Sequence, residues 1–490
     1  MVLKSILNNH IKPYKWVWIL VLIFTCIYSL ESIGNHFFFR TYALDLGAYT
    51  NALYDYAHLQ FNDKGVFKDV PENLLSDHFD LYLIFFAPFA FIFGQYTLLI
   101  FQIAFIVAGG IGVYRFLLLK YQNRQLALFG LLSFYLFFAL YSALSFDYHS
   151  NVISAMLAPW LFLNLHKGKK INFFLLLLAM MVGKESVSLW TFFLCLGLMI
   201  EYRKDKDKMK MLLLGALFSV LYFVVILKLV MPALANSGKY EHYKFHALGQ
   251  DYNSAFKFIF THPFEFIKTL FVNHSTNPSN DWVKTEFYVF TLLSGGLLLF
   301  LRPAYLLMLW PVLVMKMCYD EPSAWSIDCH YSIEFAPLVI IGAFAVIADV
   351  KSKIKRNLLI AFCVLGSAMV TYRLMNQTVY WHDSHRMRFY HAHHYGRAYN
   401  TQLVRERLKN IPDTSIVAAQ TSLLPHIAFR DHCYQLPKVK DAEYMVMAEQ
   451  DDATYPVSMD ELKKQLTDSL NSGRWEIVYM DKDLSMIKRK

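Results

Sequence analysis

No Cys-x-x-Cys pair occurs in the chain, and its six cysteines are scattered, which excludes a zinc ribbon. Cys26, Cys195 and Cys363 fall inside apolar runs, where a thiol packs as a small hydrophobe. Cys318 and Cys329 flank one short loop and are close enough in sequence to be bridged, but two free thiols are the expectation. A cleavage site is also lacking. The first apolar run follows Lys4, Lys12 and Lys15 with no small-residue site after it, so it reads as an anchor rather than a secretory signal. No internal repeat or low-complexity segment stands out. The formal charge of +9 is spread in short clusters between apolar runs, which sets membrane topology and argues against a nucleic-acid partner.

What the chain has in abundance is apolar surface. Of its 490 residues 56% are hydrophobic and 17% aromatic, with a mean hydropathy of +0.32. A soluble protein of this size does not need so much; a polytopic membrane protein does. Runs near 16–33, 96–119, 126–144, 151–165, 171–183, 187–200, 211–231, 287–301, 304–318, 333–349 and 357–375 read as about eleven spans. With the N-terminus in the cytoplasm, that count puts every basic cluster inside: Lys4/Lys12/Lys15, Lys120/Arg124, Lys167/Lys169/Lys170, Arg203 to Lys210, Arg302, and Lys351 to Arg356. The parity requires Phe79–Gly94 not to cross. It reads as an interfacial or re-entrant helix bent at Pro88.

Residues 1–375 thus form a membrane domain whose first outer loop is 34–95. Residues 376–490 are mixed and polar, and read as a small extracytoplasmic α/β domain. Helices are expected at Tyr395–Lys409 and Met459–Leu470, and strands at Ser415–Ala419, Glu443–Ala448, Trp475–Met480 and Leu484–Lys488. An amphipathic helix over Ser254–Phe271, preceded by Tyr240, His242, Tyr243, Lys244 and His246, is expected to lie on the bilayer.

The same parity collects the unusual polar groups on the outer side. The loop from Arg40 to Asp80 carries seven acids against three bases, Asp63 and Lys64 among them. Asp45 is placed to take a proton from a hydroxyl, and equally to cap the helix that reads on through Tyr54. Asp77-His78 reads as a second acid/base, a metal ligand or a phosphate contact, or as a plain helix start; for a metal it lacks the i,i+4 His spacing or Cys partners of a firm site. A hard divalent cation between Asp45 and Asp77 is an option the residues leave open, and no other cofactor is implied. Asp147-Tyr148-His149 sits at a span mouth. Lys184-Glu185 interrupts an apolar stretch, either as an ion pair at a tight turn or with Lys184 neutralising a phosphate that Glu185 orients; the cost of an unneeded charge pair there favours the second. His330-Tyr331 ends another outer loop, as a substrate contact or an interfacial anchor. The tract His382, His385, Arg386, Arg388, His391, His393, His394, Arg397 is irregular in spacing. It reads as a solvated linker facing lipid headgroups, with Arg386 or Arg388 able to grip a phosphate.

Leu44-Asp45-Leu46-Gly47, Asp77-His78-Phe79, Phe146-Asp147-Tyr148-His149, Gly183-Lys184-Glu185 and His330-Tyr331, in that order, resemble a domain-of-unknown-function family of bacterial and archaeal membrane proteins. That family is distantly related to the GT-C glycosyltransferases. The likeness spans nearly the whole chain and is firmest over 35–200. It implies a GT-C-like helical membrane protein of the cell inner membrane, using a polyprenyl-phosphate sugar donor on the extracytoplasmic face. An acceptor hydroxyl would lose its proton to Asp45, with Asp77 and His78 beside it. Asp147, His149, Lys184, Glu185, His330 and Tyr331 would bind substrate and phosphate. The loop departs from better-known relatives, since Leu46 follows Asp45 and no Pro pair follows Asp77-His78. Two rivals share the sequence features: a transporter or flippase of lipid-linked glycans, and a non-catalytic envelope assembly protein. The first needs polar groups at mid-bilayer, and most charges here sit at span ends.

Overall fold

The computed structural model describes residues 14–62, 65–70, 72–238 and 243–490. Lys4, Lys12, Asp63, Lys64, Tyr240 and His242 lie outside the described residues. The protein is mostly helical, with one small sheet near its C-terminus. It forms two compact units. One comprises Met1–Ser29, Gln102–Val230 and Tyr240–Met387; the other comprises Leu30–Phe101, Met231–Lys239 and Arg388–Lys490.

Six stretches among the described residues are long and apolar enough to cross a membrane: Lys15–Phe37, Tyr82–Tyr121, Arg124–Ser145, Lys206–Leu234, His330–Asp349 and Lys353–Asn376. The other expected spans are shorter helices, among them Ser150–His166, Glu185–Glu201 and Pro303–Cys318. Polar caps start several of these helices beside the basic clusters. Asn123 accepts from the Leu126 N–H at 3.0 Å, and Asp205 accepts from the Lys208 N–H at 3.1 Å.

In the first unit the helix Phe335–Asp349 is buried on every side from Phe335 to Ile347, as a helix apolar all round must be. Close approach around it depends on glycine. A Cβ on Gly366 would stand 2.0 Å from the Leu293 carbonyl oxygen, which is backbone and cannot swing away. Gly366→Ala is therefore expected to cost about 3 kcal/mol, read as a drop in the denaturation midpoint of the detergent-purified protein. An unchanged midpoint would mean the two helices have room to part.

Two expected helices are broken, each for a visible reason. The stretch over Ser254–Phe271 is two helices, Tyr252–Thr261 and Pro263–Phe271, because Pro263 has no N–H to continue the first. Phe256, Phe260, Phe264 and Phe271 remain exposed along them. The stretch beginning at Tyr82 tightens to a 3₁₀ turn over Ala87–Phe89 at Pro88. It then breaks at Gly94, whose φ of 54° suits glycine.

The sheet belongs to the second unit. Its strands are β1 (Val417–Ala419), β2 (Cys433–Gln435), β3 (Tyr444–Ala448), β4 (Trp475–Met480) and β5 (Leu484–Arg489), in the order β2-β1-β3-β5-β4. β1 pairs parallel with β2 and β3, and β5 antiparallel with β3 and β4. The period of two splits the faces. Val417, Ala419, Val446 and Met486 pack against Val404 and Leu408 of the helix Thr401–Leu408. Ala418, Met445, Met447 and Ile487 pack against Leu462 and Leu466 of the helix Met459–Asn471. Phe39, Ala43 and Val66 from the first loop complete the former layer. Cys318 and Cys329 are free thiols.

Candidate active site

In the first unit, the chain reverses between the helices Phe138–Ser145 and Ser150–His166. Asp147, at the turn, has a φ of 58°. That conformation is uncommon for a residue with a Cβ, and such strain tends to gather at working sites. Gln102 fixes the reversal from both sides. Its amide nitrogen donates to the Asp147 carbonyl at 2.8 Å, and its amide oxygen accepts from the His149 N–H at 2.9 Å.

The reversal places three side chains. The His149 ring stacks on His330, centroids 3.5 Å apart and planes 17° apart. Phe146 lies 5.5 Å from His149 and 5.8 Å from His330, while Tyr331 lies 4.1 Å from His330. The Asp147 carboxylate accepts from the Arg386 guanidinium at 3.1 Å, and both side chains are 3% exposed. The guanidinium also lies over the Phe146 ring, 5.5 Å from its centroid.

A third feature adjoins them in sequence. Asn151, two residues past His149, donates to Glu334 at 2.9 Å. The Lys184 and Lys316 charges both act on Glu334. Lys184 precedes the first turn of the helix Glu185–Glu201 and is half-buried, while Glu185 is buried. A carboxylate in the first turn is favoured by the helix dipole. The unit thus offers two imidazoles, a guanidinium and an ammonium near span ends, a set suited to proton exchange and to an anionic group.

Asp328, in the loop before His330, is buried, and the Trp381 N–H donates to it at 3.3 Å. Burial pushes its carboxyl up from 3.8 to about 6, against the pull of hydrogen bonds from Thr378, Trp381 and Ser326 and of the Lys316 charge. A carboxyl raised on folding stabilises the fold below its unfolded pKa, and that contribution is lost as pH rises through the folded value. Asp328→Asn is therefore expected to flatten the fall in stability between about pH 4 and 6, on the order of 3 kcal/mol. Parallel pH curves for parent and variant would contradict it.

The second unit holds the other residues. Asp45 is half-buried within the π-helical turn Ala43–Gly47, in the first turn of the helix that continues over Ala48–Ala57. Tyr42 is the N-cap, so the expected capping role for Asp45 does not hold: the helix starts two residues earlier. Asp77 ends the short helix Leu74–Asp77, capped by Asn73, and His78 leaves it in extended conformation. The expected helix start there is a helix end. The Ala43 N–H donates to Thr421 at 3.3 Å, which seats the Asp45 turn on the C-terminal segment.

The His/Arg tract is a solvated linker only in part: His385 and His391 are exposed, but other members are buried. Arg386 is buried on Asp147. Buried Arg40 donates to the carbonyls of His393 (2.9 Å), His394 and Gly396. His394 is fully buried, and its Nε2 lies 3.0 Å from the Leu30 carbonyl. Arg397 pairs with buried Asp451, which also accepts from Ser422 and Tyr399. His36 and His426, unremarked in the sequence, stack at 4.2 Å. Among the described residues no three His, Cys, Asp or Glu side chains are grouped as metal ligands.

The fold is similar to that of ArnT from Cupriavidus metallidurans, solved bound to undecaprenyl phosphate, with a TM-score of 0.54 at 12% identity over 97% of this chain and 98% of that one. The likeness is one of fold. The Archaeoglobus fulgidus oligosaccharyltransferase, solved tethered through a disulfide to an acceptor peptide containing the NVT sequon, gives a TM-score of 0.40 at 10% identity, over 89% of this chain and 69% of that one. No curated protein matches in sequence. Residues 35–486 match the model of a family described as predicted membrane protein (DUF2079).

Proposed function

The chain belongs to the DUF2079 family of predicted membrane proteins, and we propose that it is a GT-C-type glycosyltransferase of the inner membrane that takes its sugar from a polyprenyl-phosphate donor. The observation that carries this reading is the full-length likeness in fold to ArnT, a protein solved with undecaprenyl phosphate in place. The clustering of His149, His330, Asp147 and Arg386 at one chain reversal supports it further.

In this reading about eleven spans carry the N-terminus inside, and residues 376–490 lie outside the cell. Asp45 takes the proton of an acceptor hydroxyl, with Asp77 and His78 on the same loop shaping its surroundings. The freed oxygen bonds to the anomeric carbon while the bond from that carbon to the phosphate oxygen breaks. The electron pair leaves with polyprenyl phosphate, and the configuration inverts. Cationic Lys184, with His149 and His330, stabilises the departing phosphate. Glu185 and Tyr331 hold its surroundings.

The test is to reconstitute the full chain with polyprenyl-phosphate sugars and follow release of the free polyprenyl phosphate. Donor consumption with transfer to an added acceptor supports the reading. Movement of intact donor between leaflets, without consumption, would instead make the chain a flippase of lipid-linked glycans.

A further inference from the structure

The first unit has a second polar feature within an apolar setting, at the end of the spans that carries the basic clusters. The start of the helix Lys15–Phe37 meets the last turns of Thr97–Tyr121 and Ser150–His166 around a cavity of about 630 Å³. Its walls are apolar and aromatic, including Val17, Trp18, Leu118 and Leu163. Two of its lining residues are cations, Arg115 and Lys167, and none is acidic.

Arg115 is the telling residue. It lies six residues before the end of its helix, about 9 Å along the axis. A guanidinium at that depth is costly unless it has a partner. Among the described residues its guanidinium lies against the Trp160 ring, 5.7 Å away. It is exposed, and no carboxylate pairs with it or with Lys167 among the described residues. Beside it Tyr114 is buried, and Tyr14 meets its ring edge-on at 6.5 Å. Tyr14 and Trp18 stand where aromatic side chains anchor a span at the headgroup level.

We propose that this groove binds an anionic phospholipid of the bilayer, its phosphate between Arg115 and Lys167 and its upper chains on the apolar walls. The charges complement a phosphodiester, and a basic pocket between spans is a recurring form of headgroup recognition. A soluble anion would leave the walls in water. The site does not share residues with the proposed chemistry, so it survives or fails independently of it.

The experiment is native mass spectrometry of the full chain in mild detergent, titrated with phosphatidylglycerol, phosphatidylcholine or undecaprenyl phosphate. Phosphatidylglycerol should be retained over phosphatidylcholine. The double variant R115Q/K167Q should weaken it about 30-fold, and Lys167→Gln alone about fivefold. Arg115→Lys should keep most of the affinity. An unchanged melting temperature in lipid-free detergent separates lost binding from lost folding; where the double variant fails that check, the single variant decides. Equal retention by the variants, equal retention of phosphatidylcholine, or preferential uptake of undecaprenyl phosphate would overturn the proposal.

Discussion

Asn in place of Asp45 is expected to lower sugar transfer by at least a hundredfold, the span of a lost general base being about 10²–10⁴, while folding is nearly unaffected. The two effects separate because of where the residue sits. Asp45 is half-buried in the first turn of its helix, and the Ala48 N–H donates to its backbone carbonyl rather than to its carboxylate. Asn keeps the shape, and the charge it removes from the helix start is worth roughly 0.3–1 kcal/mol. The turn itself is held by other groups: the Ala43 N–H on Thr421 and the close packing of Gly47 on the Leu424 side chain. Asp55 is the control. It is buried and accepts from Asn62 at 2.7 Å, so Asp55→Asn should lower stability first and activity only through it. Unchanged product from Asp45→Asn would remove this residue as base and strengthen the flippase and assembly-protein readings.

The parts of the fold legible beforehand were those with a local pattern. Long apolar runs between basic clusters became helices. The hairpin of β4 and β5 and the strands β1 and β3 emerged where β-branched and apolar residues follow turn signals. Ser458 and Glu461 spell a capping box, and the helix starts there. β2 gave no signal because Cys433–Gln435 holds no β-branched residue and follows Arg430-Asp431-His432, whereas the equally short β1 continues from Ile416 into Val417. The packing of Phe39, Ala43 and Val66 under the sheet was also invisible, since it joins segments more than 300 residues apart. The helix expected from Tyr395 begins only at Thr401, where Asn400 accepts from the Gln402 and Leu403 N–H groups.

The site divides along the same line. Residues such as His149, Lys184 and His330 were conspicuous because a charge or imidazole at the end of an apolar run is costly. Gln102 was not: one uncharged amide in a long apolar helix disturbs neither composition nor period, yet it braces both sides of the Asp147 reversal. The His/Arg tract was partly misjudged for a different reason. Polar sequence suggests solvent, but a guanidinium can be buried when carbonyls or a carboxylate take its protons. Arg40, Arg386 and Arg397 all find such partners.

The pair formed by Asp147 and Arg386 should therefore yield the largest stability effect of any single change at the site. Arg386→Met leaves a carboxylate buried at 3% exposure without that guanidinium, and breaking a buried pair from one side costs about 3–5 kcal/mol. Asp147→Asn strands the guanidinium at a similar cost, but it spares the backbone, because Asn tolerates the positive φ that Asp147 adopts. Asp147→Ala adds the left-handed strain and should be worse by about 1 kcal/mol. The double variant D147N/R386M removes both charges, and its loss should fall well short of the sum of the singles. Denaturation midpoints of the four proteins close the cycle. Additive losses would show that the two side chains are coupled to other groups more strongly than to each other. A double variant that folds but no longer releases polyprenyl phosphate would then tie the Asp147–Arg386 pair to the chemistry, since the fold would have been restored without it.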